Sequence, residues 1–136
     1  MKEYQKPVPE VKDYTRPYWD GCKAHKLLLP KCRPCNKPFF FPGKFCPTCL
    51  SEDIEWTPAS GKGTIHTFSV VDRPPSGAFA GDVPYVVAII DLAEGPRMMS
   101  NVIGISPDEV RVGMPVEVVF EDINDDIAIP KFRPVQ

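Results

Sequence analysis

Cys32-Arg33-Pro34-Cys35 and Cys46-Pro47-Thr48-Cys49, two Cys-x-x-Cys pairs separated by ten residues, constrain this 136-residue chain more than any other feature. Each pair closes a tight knuckle, and together they offer four thiolates at the corners of a tetrahedron, the ligand pattern of a zinc ribbon. A catalytic zinc keeps one position for water or substrate, whereas four sulfurs at about 2.3 Å leave none. The metal is therefore expected to serve folding rather than chemistry. Iron also suits a tetrahedral all-thiolate site, so the motif leaves zinc and iron both open. A thioredoxin-like redox centre needs one Cys-x-x-Cys between a strand and a helix, but here two pairs run into turn residues such as Asn36 and Ser51. Disulfides fit poorly, because the N-terminus does not resemble a signal peptide and Cys22 is left over as a fifth cysteine.

The length allows one modest core or two small modules, and 43% hydrophobic content is ordinary for a globular chain. The longest apolar run, Val83 to Ile90, contains Pro84 and is far shorter than the roughly 18 residues of a membrane span. A cytoplasmic protein with no membrane role is the expectation. Proline occurs 17 times, more than twice its usual share of roughly 5%. These prolines are spread between apolar runs, which predicts short elements divided by turns and hence a mainly β fold. Charge is split. Residues 1–50 carry ten Lys/Arg against four Asp/Glu, and residues 51–136 carry six against fourteen. Either both surfaces are simply solvated or the basic half faces something anionic.

Residues 1–30 read as an N-terminal arm and helix. Residues 1–13 alternate charge and proline and suggest an unpaired or partner-bound arm. A helix is expected from near Thr15, with Pro17 in its first turn, and Tyr18, Cys22, His25 and Leu29 on one stripe with Trp19 beside it. Residues 31–58 read as the ribbon, with Leu27 to Leu29 leading in as a strand and Trp56 and Pro58 leading out across a link. Phe39, Phe40 and Phe41 cannot all face one small core, because strand side chains alternate, so at least one should meet the next module or a partner.

From residue 59 onward strands dominate. Thr64–Val71 is β-branched and aromatic; Tyr85–Leu92 is almost continuously apolar, as expected of a strand covered on both faces; Met98–Ile103 follows. Ser106 and Glu109 read as a capping box opening one helical turn that Gly113 ends. Alternation through Val116, Val118 and Phe120, then Ile127 and Ile129, gives two more strands. Three strands, a short helix and two strands is the order of a five-stranded OB-fold barrel over residues 59–136.

This series of motifs resembles a family first catalogued as a domain of unknown function: rubredoxin-like zinc-ribbon and OB-fold proteins that accompany thiolase-type enzymes. The likeness is carried by Tyr18-Trp19-Asp20-Gly21, Leu27-Leu28-Leu29-Pro30-Lys31-Cys32, Cys46-Pro47, Trp56-Thr57-Pro58-Ala59-Ser60-Gly61-Lys62-Gly63, Arg73-Pro74-Pro75, Pro84-Tyr85-Val86-Val87-Ala88, Gly113-Met114-Pro115-Val116 and Pro130-Lys131-Phe132-Arg133-Pro134. It spans Tyr18 to Pro134. One departure is local: many relatives have a glycine soon after the second cysteine pair, where this chain has Leu50-Ser51.

The resemblance implies a non-catalytic subunit that docks on a thiolase-fold or HMG-CoA-synthase-like enzyme and helps hold acyl-CoA. It carries zinc ligation to Cys32, Cys35, Cys46 and Cys49 and carries over no catalytic residue. Candidate contacts with the partner or with coenzyme A are Tyr18, Trp19, Lys62, Arg73 and Phe79; the lysine and arginine suit phosphate groups. Phe79 and Arg73 lie on the long loop Asp72–Pro84, which either adapts to a partner or is a solvated hairpin loop.

Two other functions compete with this one. An independent enzyme would draw on Cys22, His25 and His66, which have no recognisable nucleophile motif around them. A single-stranded nucleic-acid module would need a basic groove with stacking aromatics, but the barrel half is acidic, with only Phe68, Tyr85 and Phe120 plausible on its strands.

Overall fold

Tyr18, Trp19 and Cys22 are buried on one face of a short helix, α1 (Arg16–Lys23), in the computed structural model, which describes residues 6–135. Pro17 lies in the first turn, where its missing N–H costs nothing. Thr15 does not cap the helix with its side chain; its hydroxyl accepts a hydrogen bond from the Lys12 N–H at 2.9 Å.

The expected stripe through His25 and Leu29 is corrected by the way α1 ends. His25 turns into the left-handed region at φ 60°. Its N–H donates to the Cys22 carbonyl at 2.9 Å, and the Lys26 N–H donates to the Gly21 carbonyl at 2.8 Å, closing a Schellman motif. Gly21 permits this close return, since a Cβ there would meet the Lys26 carbonyl at 2.9 Å and Leu28 Cγ at 3.0 Å. Leu29 therefore sits in β1 (Leu28–Cys32), and the His25 ring stacks on Phe120 and pairs with Asp122 at 2.9 Å.

Strand β1 is the centre of a three-stranded antiparallel sheet with β2 (Lys37–Pro38) and β3 (Ile54–Pro58). The segment through Trp56 and Pro58, expected as a link, is thus a strand paired with all of β1, from Leu28 opposite Pro58 to Cys32 opposite Ile54. Pro58 is tolerated because it ends the strand. Between the knuckles the three phenylalanines separate as expected: Phe39 is buried and Phe41 is 54% exposed.

The second half closes on itself. β4 (Lys62–Val71), β5 (Tyr85–Leu92), β6 (Arg97–Val102), β7 (Pro115–Asp122) and β8 (Ala128–Pro134) form a barrel in the order β4-β5-β6-β8-β7. Only the β6–β8 contact among these pairs is parallel, and β4 closes on β7. This is the mainly β, OB-type architecture expected, with sheet edges removed by closure. A register shift between Ile65 and Thr67 bends β4.

Ile65, Val86, Ile90, Met98 and Phe132 fill the barrel, and Leu27, Leu29, Tyr18 and Cys22 belong to the same buried cluster. Helix, ribbon strand and barrel therefore share one core.

Three further expectations change. Strand β5 is not covered equally on both faces: Val86, Ala88, Ile90 and Leu92 are buried, whereas Tyr85, Val87, Ile89 and Asp91 are half-buried on the outer side. The Ser106–Glu109 capping box is a single 3-10 turn, Pro107–Glu109, without a side-chain cap from Ser106, and Val110 leaves it in extended conformation. The arm over residues 1–13 is in part packed on its own barrel. Lys6 pairs with Asp82 and lies 5.7 Å from the Phe79 ring centre, and Val11 packs on the core. The rest of that expectation, residues 1–5, lies outside the described residues.

Candidate metal centre and aromatic groove

Strand β1 delivers Cys32 at its end, and the chain turns at once to return Cys35. The Cys35 N–H points to Cys32 Sγ at 3.4 Å and the Asn36 N–H to the Cys32 carbonyl at 2.7 Å. The second knuckle repeats the design, with the Thr48 N–H on Cys46 Sγ at 3.4 Å and the Leu50 N–H on the Cys46 carbonyl at 2.9 Å. Both turns end in a left-handed residue, Asn36 at φ 57° and Leu50 at φ 63°. Arg33 fastens the first knuckle to β3, donating to Asp53 at 3.0 Å and Glu55 at 3.3 Å.

The four sulfurs all lie within 4.8 Å of one another. Cys32 and Cys49 are 3.5 Å apart, and Cys35 and Cys46 are 3.9 Å apart. A tetrahedron with bonds of about 2.3 Å has edges of about 3.8 Å, so the donors fit a zinc-sized ion and are too far apart for S–S bonds of about 2.05 Å. The thiols are also shifted in opposite directions. The Cys49 backbone N–H, ahead of other effects, holds Cys46 down to about 6, while the hydrogen bond with the Cys49 thiol, then burial, pushes Cys35 up to about 12. Four thiols this close cannot all ionise without a cation among them. Cys32, Cys35, Cys46 and Cys49 are thus arranged for metal binding, and among the described residues no further histidine, cysteine or carboxylate joins the group.

A second feature lies where the two halves meet. Tyr18, Trp19 and Phe79, three of the residues singled out from sequence, line one groove together with Phe40, Phe41 and Met99. Its floor is the outer side of β5 and β6, with Tyr85 and Val87. Lys62 and Arg73 are exposed and do not line it. Met99, 67% exposed, carried no signal in the sequence beyond its place on a strand. Tyr85 and Val87 were legible as strand residues but were expected to be covered.

The residues considered for independent catalysis do not converge. Cys22 is fully buried, and that burial pushes its thiol up to about 12 against a hydrogen bond from Tyr18. His25 faces Phe120 and Asp122 instead. His66 lies on the barrel surface with Nδ1 3.2 Å from Asp91, which Arg97 also binds at 2.7 Å.

Two family profiles match the chain: the ChsH2 rubredoxin-like zinc ribbon domain over residues 19–55 and the ChsH2 C-terminal OB-fold domain over 56–121. A DUF35 domain-containing scaffold protein of Methanocaldococcus jannaschii is 38% identical over 126 residues, covering 87% of this chain and 89% of that protein. The benzoylsuccinyl-CoA thiolase subunit BbsA of Geobacter metallireducens is 28% identical, covering 90% and 77%. A probable enoyl-CoA hydratase alpha subunit of Thermomonospora curvata is 33% identical over 95% of this chain, which spans only 40% of that protein's length. Among solved structures, a chain of an Ltp2-ChsH2(DUF35) aldolase superposes with a TM-score of 0.83 at 33% identity, covering 93% of this chain and 98% of that one. With its four-cysteine ribbon joined to a closed five-stranded barrel, the chain belongs to the DUF35 family of ChsH2-type zinc-ribbon and OB-fold proteins.

Proposed function

We propose that this chain is a non-catalytic, zinc-binding accessory subunit of a thiolase-type enzyme, docking on a catalytic subunit that forms or cleaves a carbon–carbon bond of an acyl-CoA. The observation that carries the reading is the likeness, over 90% of the chain, to a protein named as a thiolase subunit. The scaffold named for the archaeal relative points the same way. In this reading residues 1–30 are arm and helix, 31–58 the ribbon and 59–136 the barrel. Cys32, Cys35, Cys46 and Cys49 hold a zinc ion that contributes folding energy and no reaction chemistry. The nucleophile and base belong to the partner. Tyr18, Trp19 and Phe79 contact the acyl-CoA or the partner through the groove, and the exposed Lys62 and Arg73 offer charge to coenzyme A phosphates. The complex is cytoplasmic.

The test is capture from the native source on a tagged, zinc-loaded chain, followed by assay. The reading expects a thiolase-fold polypeptide in fixed stoichiometry, carbon–carbon bond chemistry on acyl-CoA in the pair, and none in this chain alone. A chain that elutes by itself, or with single-stranded RNA or DNA, overturns it.

A further inference from the structure

Two cavities of about 640 and 500 Å³ lie along the outer side of β5, β6 and β8. Phe79, Tyr85, Asn101 and Ile129 line both. Three of the four stand on strands: Tyr85 on β5, Asn101 on β6 and Ile129 on β8. Strands of a closed barrel are held by their ladders, so these three form a fixed floor. Phe79 comes instead from the loop joining β4 to β5, and is the wall between the cavities that is not tied into the sheet.

That loop holds together locally. The Phe79 N–H donates to the Ser76 carbonyl at 3.1 Å, the Ala80 N–H to the Gly77 carbonyl at 3.2 Å and the Asp82 N–H to the Phe79 carbonyl at 3.0 Å. Gly77 and Gly81, on either side of the ring, have open space where a side chain would stand. The turn is therefore built to swing as a unit about its ends. Contacts from outside the loop set its position. The Phe79 ring lies 6.1 Å from that of Tyr85, and the Lys6 ammonium lies 5.7 Å from the Phe79 ring centre while pairing with Asp82. Lys6 is 22% exposed and Asp82 42%, which strengthens the pair relative to one in open water.

The N-terminal arm that supplies Lys6 is rooted beside α1. Val11 packs on the core, the Lys12 N–H donates to the Thr15 hydroxyl at 2.9 Å, and the Thr15 N–H donates to the Lys12 carbonyl at 3.0 Å. From this root the arm reaches the smaller cavity, which Lys6 and Pro7 line, whereas α1 lines the larger one with Tyr18 and Trp19. Val8, between root and tip, is 49% exposed, so the arm is not continuously packed along its length.

We propose that residues 6–9 are a strap whose hold on Asp82 and Phe79 keeps the groove divided in two, and that releasing the strap lets the turn at Gly77–Phe79 swing away and joins the cavities. The strap stands independently of the accessory-subunit reading, and it gives the groove a closed and an open form.

Hydrogen exchange, and binding of the uncharged apolar dye Nile red, both on the full, zinc-loaded chain, test it. Lys6→Ala and Asp82→Asn should each speed exchange of the Phe79 and Ala80 amides about fivefold, leave the Ile90 amide in β5 unchanged, and tighten dye binding by a similar factor. Lys6→Asp combined with Asp82→Lys restores the pair with its charges exchanged and should return both readouts toward the parent chain. Lys12→Ala, on the same arm but paired with Glu10, should change neither. In a Phe79→Ala background the dividing ring is gone, so Lys6→Ala should have no further effect on dye binding. Unaltered exchange in Lys6→Ala, a charge exchange that restores nothing, or a full effect of Lys6→Ala on top of Phe79→Ala overturns the proposal.

Discussion

Leu50 closes the second knuckle in the left-handed region at φ 63°, with its side chain 72% exposed. A Cβ in that region costs roughly 1–2 kcal/mol, and the exposed leucine recovers little of it by packing. Leu50→Gly should therefore stabilise the zinc-loaded protein by about 1 kcal/mol, read as a higher urea midpoint; a lower midpoint would show that the leucine contributes contacts the geometry does not. Gly61 is the opposite case, at φ 81° with a would-be Cβ 2.5 Å from Val118 Cγ1. Gly61→Ala should cost about 1–3 kcal/mol in the same assay. Cys22 predicts a pH dependence. Burial raises its folded pKa to about 12, above the unfolded value of about 8.5. The contribution is complete below the unfolded pKa and is lost as pH rises toward the folded one. Stability should decline between about pH 8.5 and 12, and Cys22→Ala should flatten that decline. An unchanged alkaline slope in the variant would mean that Cys22 is not the group responsible.

Strand β1 is the element on which both halves depend. Leu29, on one side of it, is fully buried in the common core, while Cys32 at its end enters the metal site. Leu29→Ala should destabilise by about 2–5 kcal/mol and weaken ribbon and barrel together, so that tryptophan fluorescence and far-ultraviolet dichroism follow one transition. Separate transitions would show two independent cores. The elements were unevenly legible from sequence. Strands of β-branched residues between prolines, such as β4, stood out by composition, as did the cysteine knuckles, whose chemistry needs only local spacing. The reversal after α1 did not, because it depends on left-handed His25 and on a close approach at Gly21 that helical periodicity does not encode. Strand β3 was hidden by its proline and shortness, and becomes a strand only by pairing with β1. Half of the groove was visible as Tyr18, Trp19 and Phe79. Its floor was not, since only the barrel's closure decides which side of β5 faces outward.

At the scale of the whole molecule, a basic first half carrying the metal site is joined to an acidic barrel through one core. No helix among the described residues is long and apolar enough to cross a membrane. The metal should hold the first half together: structural zinc contributes apparent binding energies of about 10–16 kcal/mol in small fingers. Cys32→Ser or Cys49→Ser should abolish tight zinc binding and native ribbon order, and a variant that keeps metal-free, native-like stability would contradict the structural role. The most direct test of the accessory role is the native mass of the protein purified gently from its source, with zinc quantified on the same sample. One zinc per chain in a stable complex with a thiolase-fold subunit is the predicted result. A lone zinc-loaded chain, or one carrying nucleic acid in place of a protein partner, would contradict it.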